Sequence, residues 1–381
     1  MVYYALGNMI SPQTLSDLNK AFEVSPKGFV ITDSGTPRFA VVDFATFEKL
    51  RTQKKSTNPI RKILVTGGAG YIGSHAVRVL RQKGYEVVVY DNLSTGRREA
   101  VGDAKLIVGD LADREFLAKV FTEEKIDAVM HFAASIEAEE SVYKPVEYFQ
   151  NNVINGLNLL DVMVAYGVSK LVFSSSAAVY GDPIKLPMAE DAACAPANPY
   201  GESKLVFEKI LKWYAKAYGL HSISLRYFNA AGAWAEEGLG YRREDMSHLI
   251  PRVLDVAAGK TNEISVFGQD YGTPDGTCIR DYIHVLDLAE AHIAALEKLA
   301  ASNGAYVYNV GTGRGYSVLE VIDAIMEITG HMIPIKTAER RAGDTAKLVA
   351  DSTKIQKEFG WRPRHDLRSI IQSSWQWHKK T

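Results

Sequence analysis

The chain has 381 residues, 46% of them hydrophobic and 23% charged, with a formal net charge of -1. That length suggests roughly two or three domains and is ample for a large buried core. The near-neutral balance excludes a general electrostatic affinity for nucleic acid or for a membrane surface. No stretch reaches the roughly 18 consecutive apolar residues of a membrane span, and the N-terminus lacks the basic and apolar regions of a signal peptide. The two cysteines, Cys194 and Cys278, make neither a metal-site spacing nor a disulfide framework, so no metal is expected and a reducing cytoplasm fits.

In chain order, Ile10-Ser11-Pro12 followed by Thr14–Phe22 reads as a capped helix. Phe29–Gly35 and Phe39–Asp43 read as a hairpin, and Ala45–Leu50 as a short helix. The stretch Arg51–Pro59 (RTQKKSTNP) is polar, basic and proline-terminated, and reads as a linker. From Ile63 a different pattern begins. The runs ILVTG, EVVVYD, AKLIVGD, DAVMHFA, KLVFSSS and SISLRY alternate with helical stretches up to about Arg226. Such βαβα order implies an α/β fold, a Rossmann-type doubly wound parallel sheet with helices on both faces. After Asn229 the pattern turns irregular, with a strand at EISVFG and helices near Val285–Leu299 and Val318–Thr329. It reads as a smaller substrate domain closing over the C-terminal edge of the sheet. The expected organisation is therefore a small α+β extension at 1–58, a dinucleotide-binding domain at 61–229 and a mainly substrate-binding domain at 230–381.

Gly67, Gly70 and Gly73 follow the first strand of the main pattern as G-x-x-G-x-x-G and precede a helix. Glycines at such a turn let the backbone approach a pyrophosphate, whose charge then sits on the helix N-terminus. A glycine triplet alone would serve equally as a tight strand-to-helix turn. The next strand, however, ends in Asp91, at the separation expected of an acid that binds the ribose. A carboxylate there accepts from a 2′-hydroxyl and repels a 2′-phosphate, which favours NAD over NADP. Gly109-Asp110 closes the third strand, where an acid near the adenine would fit.

Tyr200 and Lys204 form Y-x-x-x-K. On a helix beginning near Pro199 the two share a face. An ammonium beside a phenol favours the phenolate, so the tyrosine becomes a usable general base. An isolated pair of this kind would be an ordinary exposed helix pair; the glycine turn and a serine-rich strand end change that reading. The strand end is Ser174-Ser175-Ser176 after Leu171-Val172-Phe173, at the edge where doubly wound folds place ligands.

These residues resemble the extended short-chain dehydrogenase/reductase superfamily and, within it, the UDP-galactose 4-epimerases. The matching segments include VTGGAGYIGSH, YDNLSTG, GDLAD, HFAA, NNVINGLNLL, FSSSAAVYG, NPYGESK, LRYFNAAGA, FGQDYGTPDGTCIRDYIHV, YNVGTGRGYS and RRAGD, in order from about residue 61 to 377. The resemblance implies that Gly67, Gly70, Tyr71, Ile72, Gly73, Asp91, Asn92, Asp110, Leu111, Phe132, Ala133, Ala134, Asn151 and Phe228 line an NAD site. It implies Ser176, Tyr200 and Lys204 as catalytic residues that also touch the cofactor, with Ser176 the chosen serine of its three. Asn229, His248, Leu249, Phe267, Arg280, Arg341 and Asp344, with Ser176 and Tyr200, would hold a UDP-sugar, and guanidinium forks suit its diphosphate. The implied reaction is oxidation at sugar C4 and reduction from the opposite face, with NAD tightly bound. A homodimer is also implied.

Other readings stay open: another NAD-dependent sugar-nucleotide epimerase or dehydratase, or an NAD-sensing regulator. Dehydratases of the superfamily carry an Asp-Glu pair after the serine, where this chain has Ala177-Ala178. A sensor would be expected to lose the tyrosine or the lysine, and both are present. The sequence departs from the family at Ser135-Ile136-Glu137-Ala138-Glu139, which leaves cofactor contacts there open. The residue four places after the aspartate of RRAGD, which in this family controls room near the sugar C2 substituent, is Leu348. Its size implies a moderate preference for UDP-glucose and UDP-galactose over their N-acetyl forms. Finally, GFVITDSGTPRFAVVDFATFEKL resembles the N-terminal dimerisation and DNA-binding domain of Phd/YefM antitoxins. With seven Lys/Arg against five Asp/Glu over 1–58, the net charge of +2 gives a DNA or toxin partner little support.

Overall fold

The computed structural model describes residues 29–33, 36–41, 60–182, 185–242, 248–341 and 344–381. The chain parts into two compact units, Met1–Pro59 and Ile60–Thr381. In the first, β1 (Phe29–Asp33) and β2 (Thr36–Val41) pair antiparallel, with a register shift between Ile31 and Thr32. The second strand thus begins three residues before the Phe39 expected for it. The helices expected at Thr14–Phe22 and Ala45–Leu50, and the linker, lie outside the described residues.

The second unit starts with β3 (Lys62–Thr66), β4 (Glu86–Asp91), β5 (Lys105–Val108), β6 (Ala128–His131), β7 (Lys170–Ser174) and β8 (His221–Tyr227). Between these strands run α1 (Tyr71–Gln82), α2 (Arg114–Glu124), α3 (Ala138–Tyr143), α4 (Pro145–Phe149), α5 (Asn155–Ala165) and α6 (Pro199–Tyr218). Then follow β9 (Asn229–Ala231), α7 (Leu249–Ala257), β10 (Ile264–Phe267), β11 (Ile279–His284), α8 (Val285–Ala301) and β12 (Ala305–Val310). The chain ends with β13 (Gly315–Ser317), α9 (Val318–Thr329), β14 (Ile335–Ala338), β15 (Lys347–Leu348), α10 (Thr353–Phe359) and α11 (Leu367–His378).

The main sheet has seven strands in the order β12-β8-β7-β6-β3-β4-β5, every pair parallel. Its strands read as continuous apolar runs because both faces are covered. Along β3, Ile63 and Val65 enter one core with Val77 and Leu80 of α1 and Leu288 and Leu296 of α8. Leu64 enters the other with residues of α2, α5 and α6. The order winds outward both ways from β3, so the crevice for ligands opens where β3 and β6 diverge, at their carboxyl ends.

The expected division at 229–230 is not a clean cut. β12 returns to pair with β8, and α8 packs into the same core as α1. The apolar run of β12 finds its partner across a long insertion, so the dinucleotide-binding layer includes segments from beyond residue 285. That insertion and the chain after β12 together form the smaller lobe: β9, β13 and β15 pair with β11, β10 pairs with β14, and α7, α9 and α11 bury a core around Ile250, Val253, Ile322 and Ile370.

Candidate active site

The glycine turn follows directly from β3. Gly67 has φ +71°, and a Cβ there would stand 2.5 Å from the backbone nitrogen of Ala133. A Cβ on Gly73 would meet the Gly67 carbonyl oxygen at 2.2 Å, whereas one on Gly70 would come only to 3.3 Å. Gly67 and Gly73 are therefore required for α1 to pack onto the turn, and Gly70 is the less constrained of the three. Gly70 caps α1 without a side-chain bond, and the first turn of the helix carries no acid. Its N–H groups and positive dipole end thus face the crevice without competition, a fit for a pyrophosphate.

The acids that flank the turn are held by backbone donors. Asp91 accepts from Ala69 N at 2.9 Å and Leu93 N at 2.8 Å. Asp110 accepts from Ala112 N at 2.8 Å and from the Asn92 amide at 2.7 Å. Asn151 lies in a π-helical turn, Gln150–Ile154, and donates to the Ser135 hydroxyl at 3.0 Å. Such turns recur at functional sites. Tyr71, Ile72, Leu111, Phe132, Ala133 and Ala134 line the same cleft, and the Tyr71 hydroxyl donates to the Gly232 carbonyl at 2.7 Å.

The chemistry-bearing side chains converge at the other end of this cleft. Asn198 caps α6 by accepting from Gly201 N at 2.9 Å, and Pro199 occupies the first turn, so Tyr200 and Lys204 fall on one helical face. The Tyr200 backbone N–H donates to Ser141 Oγ at 3.2 Å. Ser176, just beyond β7, accepts from Ala178 N at 3.1 Å and lies beside the Tyr200 phenol, which it favours in the ionised form. Lys204 Nζ donates to the Ser174 carbonyl at 2.9 Å and lies 5.9 Å from the centre of the Tyr200 ring. Burial pushes the Tyr200 phenol up, Tyr227 adds to this, and Ser176 opposes it. Lys204, expected to lower the phenol, is not among the groups that shift it, and burial dominates. Lys204 is itself pulled down to about 7 by burial, with the charge of Glu208 opposing.

The residues implied to hold a sugar nucleotide divide. Phe228, Asn229, His248, Arg280 and Asp344 line the cleft, as does Leu348, whose neighbour in register is Arg280. Arg280 Nη2 and Asp344 Oδ1 are 3.4 Å apart. Leu249 lines an adjoining recess shared with Tyr71, Asn229 and His248. Phe267 and Arg341 are not among the cleft-lining residues; the Arg341 guanidinium lies over the Phe267 ring at 4.0 Å, a cation–π contact that occupies both. Tyr148, Tyr227, Tyr241 and Trp377 also line the cleft. Tyr227 falls within the segment LRYFNAAGA without being singled out there, and no motif marks Tyr148, Tyr241 or Trp377. Ala177 and Ala178 line the cleft beside Tyr200 and carry no proton-transferring group. Among the described residues no cluster of His, Cys, Asp and Glu could hold a metal ion.

A doubly wound sheet with a glycine turn, a ribose-side acid and a Ser-Tyr-Lys trio defines a dinucleotide-dependent enzyme of the short-chain dehydrogenase/reductase type. The NAD dependent epimerase/dehydratase family matches residues 63–311. The chain is 48% identical to the UDP-glucose 4-epimerase of Halalkalibacterium halodurans over 84% of its own length and 96% of that protein. It is 45% identical to the structure of the Brucella ovis UDP-glucose 4-epimerase in complex with NAD, at a TM-score of 0.80, covering 83% of this chain and 97% of that one. The structure of the Bifidobacterium longum enzyme in complex with NAD+ and UDP is 42% identical, with a TM-score of 0.80 over 84% and 98% of the two chains. The chain belongs to the NAD-dependent epimerase/dehydratase family.

Proposed function

We infer that this chain is an epimerase that interconverts UDP-glucose and UDP-galactose. The observation that carries the reading is the placement of Ser176, Tyr200 and Lys204 at one end of a cleft whose other end is a glycine turn shaped for a dinucleotide, with alanines where eliminating enzymes need an acid and a base. Gly67, Gly70, Asp91, Asp110 and Asn151 would hold the cofactor's phosphates, riboses and adenine. NAD bound there supplies a hydride acceptor and donor at sugar C4 and the positive charge of its ring.

The chain's own residues handle protons and orientation. Tyr200 takes the proton of the sugar 4-hydroxyl and later returns it to the ketone oxygen. Ser176, beside the phenol and lining the same end of the cleft, orients that exchange. Lys204, protonated, stabilises the phenolate form. Burial of Tyr200 keeps bulk water from competing for the proton. Arg280 would grip the diphosphate, exchanging its long contact with Asp344 for phosphate oxygens.

The exposed apolar side chains Tyr143 and Val146 (76% and 78% exposed) on α3 and α4, with Trp213 and Tyr218 on α6, support a homodimer that covers such side chains. Cys194 and Cys278 are free thiols, in keeping with a cytoplasmic enzyme, and no helix among the described residues is long and apolar enough to cross a membrane. A DNA or toxin partner for residues 1–58 rests on the sequence pattern alone. The functional test is incubation with UDP-glucose and inspection of the products by NMR. UDP-galactose alone is expected; a 4-keto-6-deoxy sugar would make the chain a dehydratase.

A further inference from the structure

Beneath the serines of the site lies a buried ion pair that the reaction as described does not use. Glu208 stands four residues after Lys204 on α6, one turn along the same face, and both side chains are buried. Its carboxylate ties together three segments of the site. Oε1 accepts from the hydroxyl of Ser175, the neighbour of Ser176, at 2.6 Å. Arg226, on β8, donates through Nε to Oε1 at 3.0 Å and through Nη2 to Oε2 at 2.6 Å. Arg226 directly precedes Tyr227, to whose hydroxyl oxygen Ser174 donates at 3.2 Å, and the guanidinium lies over the Tyr180 ring at 4.8 Å.

A buried pair of this kind is weak evidence for stability, because desolvating both ions offsets their attraction. Its position relative to Lys204 supplies a reason for it. The ammonium is enclosed by the Phe173 ring at 4.9 Å, the Tyr200 ring and the Ser174 carbonyl. From β6 it faces His131, which burial holds neutral, its pKa lowered to about 3, with Lys204 adding to the effect. Tyr227 on β8 and Tyr200 on α6 are both pushed up by burial and stay uncharged. Burial therefore favours the neutral amine, and Glu208 is the charge that opposes it.

We propose that Glu208 is a positioning residue of the reaction: clamped by Arg226 and Ser175, it keeps Lys204 an ammonium beside Tyr200. The proposal rests on the reading of Tyr200 and Lys204 given above. The direction of its pH signature follows. Lys204 acts as a cation, so its contribution is present below its pKa and lost as pH rises through it. Removing the charge of Glu208 lowers that pKa and moves the alkaline loss of activity to lower pH.

The test compares the parent holoenzyme with Glu208→Gln and Glu208→Asp from about pH 6 to about pH 9, measuring kcat and KM for UDP-galactose. A second readout is the tyrosinate absorbance that disappears on Tyr200→Phe in each background. Glu208→Gln is expected to shift the alkaline limb of kcat down by about one unit or more, a loss of about tenfold on that limb. KM should change little, and the Tyr200 tyrosinate signal should move to higher pH. Glu208→Asp, which keeps the charge, should hold the limb near the parent's. If the orphaned Arg226 prevents Glu208→Gln from folding, Glu208→Gln/Arg226→Met removes both charges of the pair, and its alkaline limb should move down by less than that expected for Glu208→Gln alone. A uniform loss at every pH, or an unmoved limb and tyrosinate signal, would overturn the proposal. If instead Tyr200→Phe left the parent's turnover intact, the reading of Tyr200 and Lys204 would fail, and Glu208 would lose its role with it.

Discussion

The two walls of the cleft are held by different means. On the cofactor side the polar groups are fixed by the chain itself: Asp91 by two backbone N–H groups, Asp110 by a third, and the glycine turn by contacts no side chain could share. On the sugar-nucleotide side Arg280 and Asp344, from segments distant in sequence, face each other at 3.4 Å. Backbone-held groups cannot exchange partners without moving a strand or helix; side-chain pairs can. The first arrangement suits a group that stays, the second a substrate that enters, turns over at its sugar and leaves. Affinity for the resident group should therefore depend on packing, and affinity for the substrate on side-chain chemistry.

Four perturbations sharpen or break that contrast. The largest effect is expected for Tyr200→Phe, which stands between the walls: turnover should fall by roughly 10² to 10⁴ while binding of UDP and the content of NAD(H) hold. Steady-state rates and UDP titration calorimetry check this, and turnover within a few-fold of the parent would remove Tyr200 as the base. Next comes Gly73→Ala. Its methyl would meet the Gly67 carbonyl at 2.2 Å, so α1 must shift, at a cost of about 1–3 kcal/mol. The dinucleotide released on denaturation should fall by tenfold or more, with UDP affinity nearly unchanged. A full complement of NAD(H) would show that the cofactor wall is softer than described.

Smaller is the effect of Leu348→Ser on the substrate wall. Leu348 lines the cleft beside Arg280, and shortening it should narrow the gap in kcat/KM between UDP-galactose and its N-acetyl form by up to about tenfold, without touching NAD(H) content. Equal kcat/KM for the two substrates in the parent would refute the pocket reading. The smallest effect is expected for a chain beginning at Asn58. Both walls lie after Ile60, and the Halalkalibacterium relative is matched over 96% of its length by 84% of this chain, so NAD(H) content and rate should stay within about twofold of the parent. Aggregation, measured by light scattering, or loss of most activity would place residues 1–57 within the enzyme.

The contrast between the walls also explains what could be read from the sequence. The cofactor wall sits at strand ends, so local spacing exposes it: Gly67 follows β3, Gly73 opens the helix just beyond it, Asp91 ends β4 and Asp110 comes two residues after β5. Tyr200 and Lys204 are likewise fixed by spacing along one helix. The substrate wall joins segments distant in sequence, and only family resemblance located Arg280, Asp344 and Leu348. The same resemblance also named Phe267 and Arg341, which stack on each other. β12 was not legible as part of the main sheet, because some eighty residues, including β9, α7, β10 and β11 of the smaller lobe, separate it from its partner β8. Nor was Glu208, since a glutamate on a helix normally marks a solvated face, and only burial against Arg226 and Ser175 distinguishes it.

The central claim is that the oxidised sugar and the reduced cofactor stay together in the cleft until the sugar is reduced again. The direct measurement is incubation of the purified protein, with no NAD added, with UDP-galactose carrying deuterium at C4, followed by NMR of the product. The expected result is UDP-glucose formed at a rate that added NAD does not raise, with the deuterium retained at C4 and close to one equivalent of dinucleotide per chain on denaturation. Product whose C4 deuterium has been lost to solvent, or turnover that appears only when NAD is supplied, would contradict it.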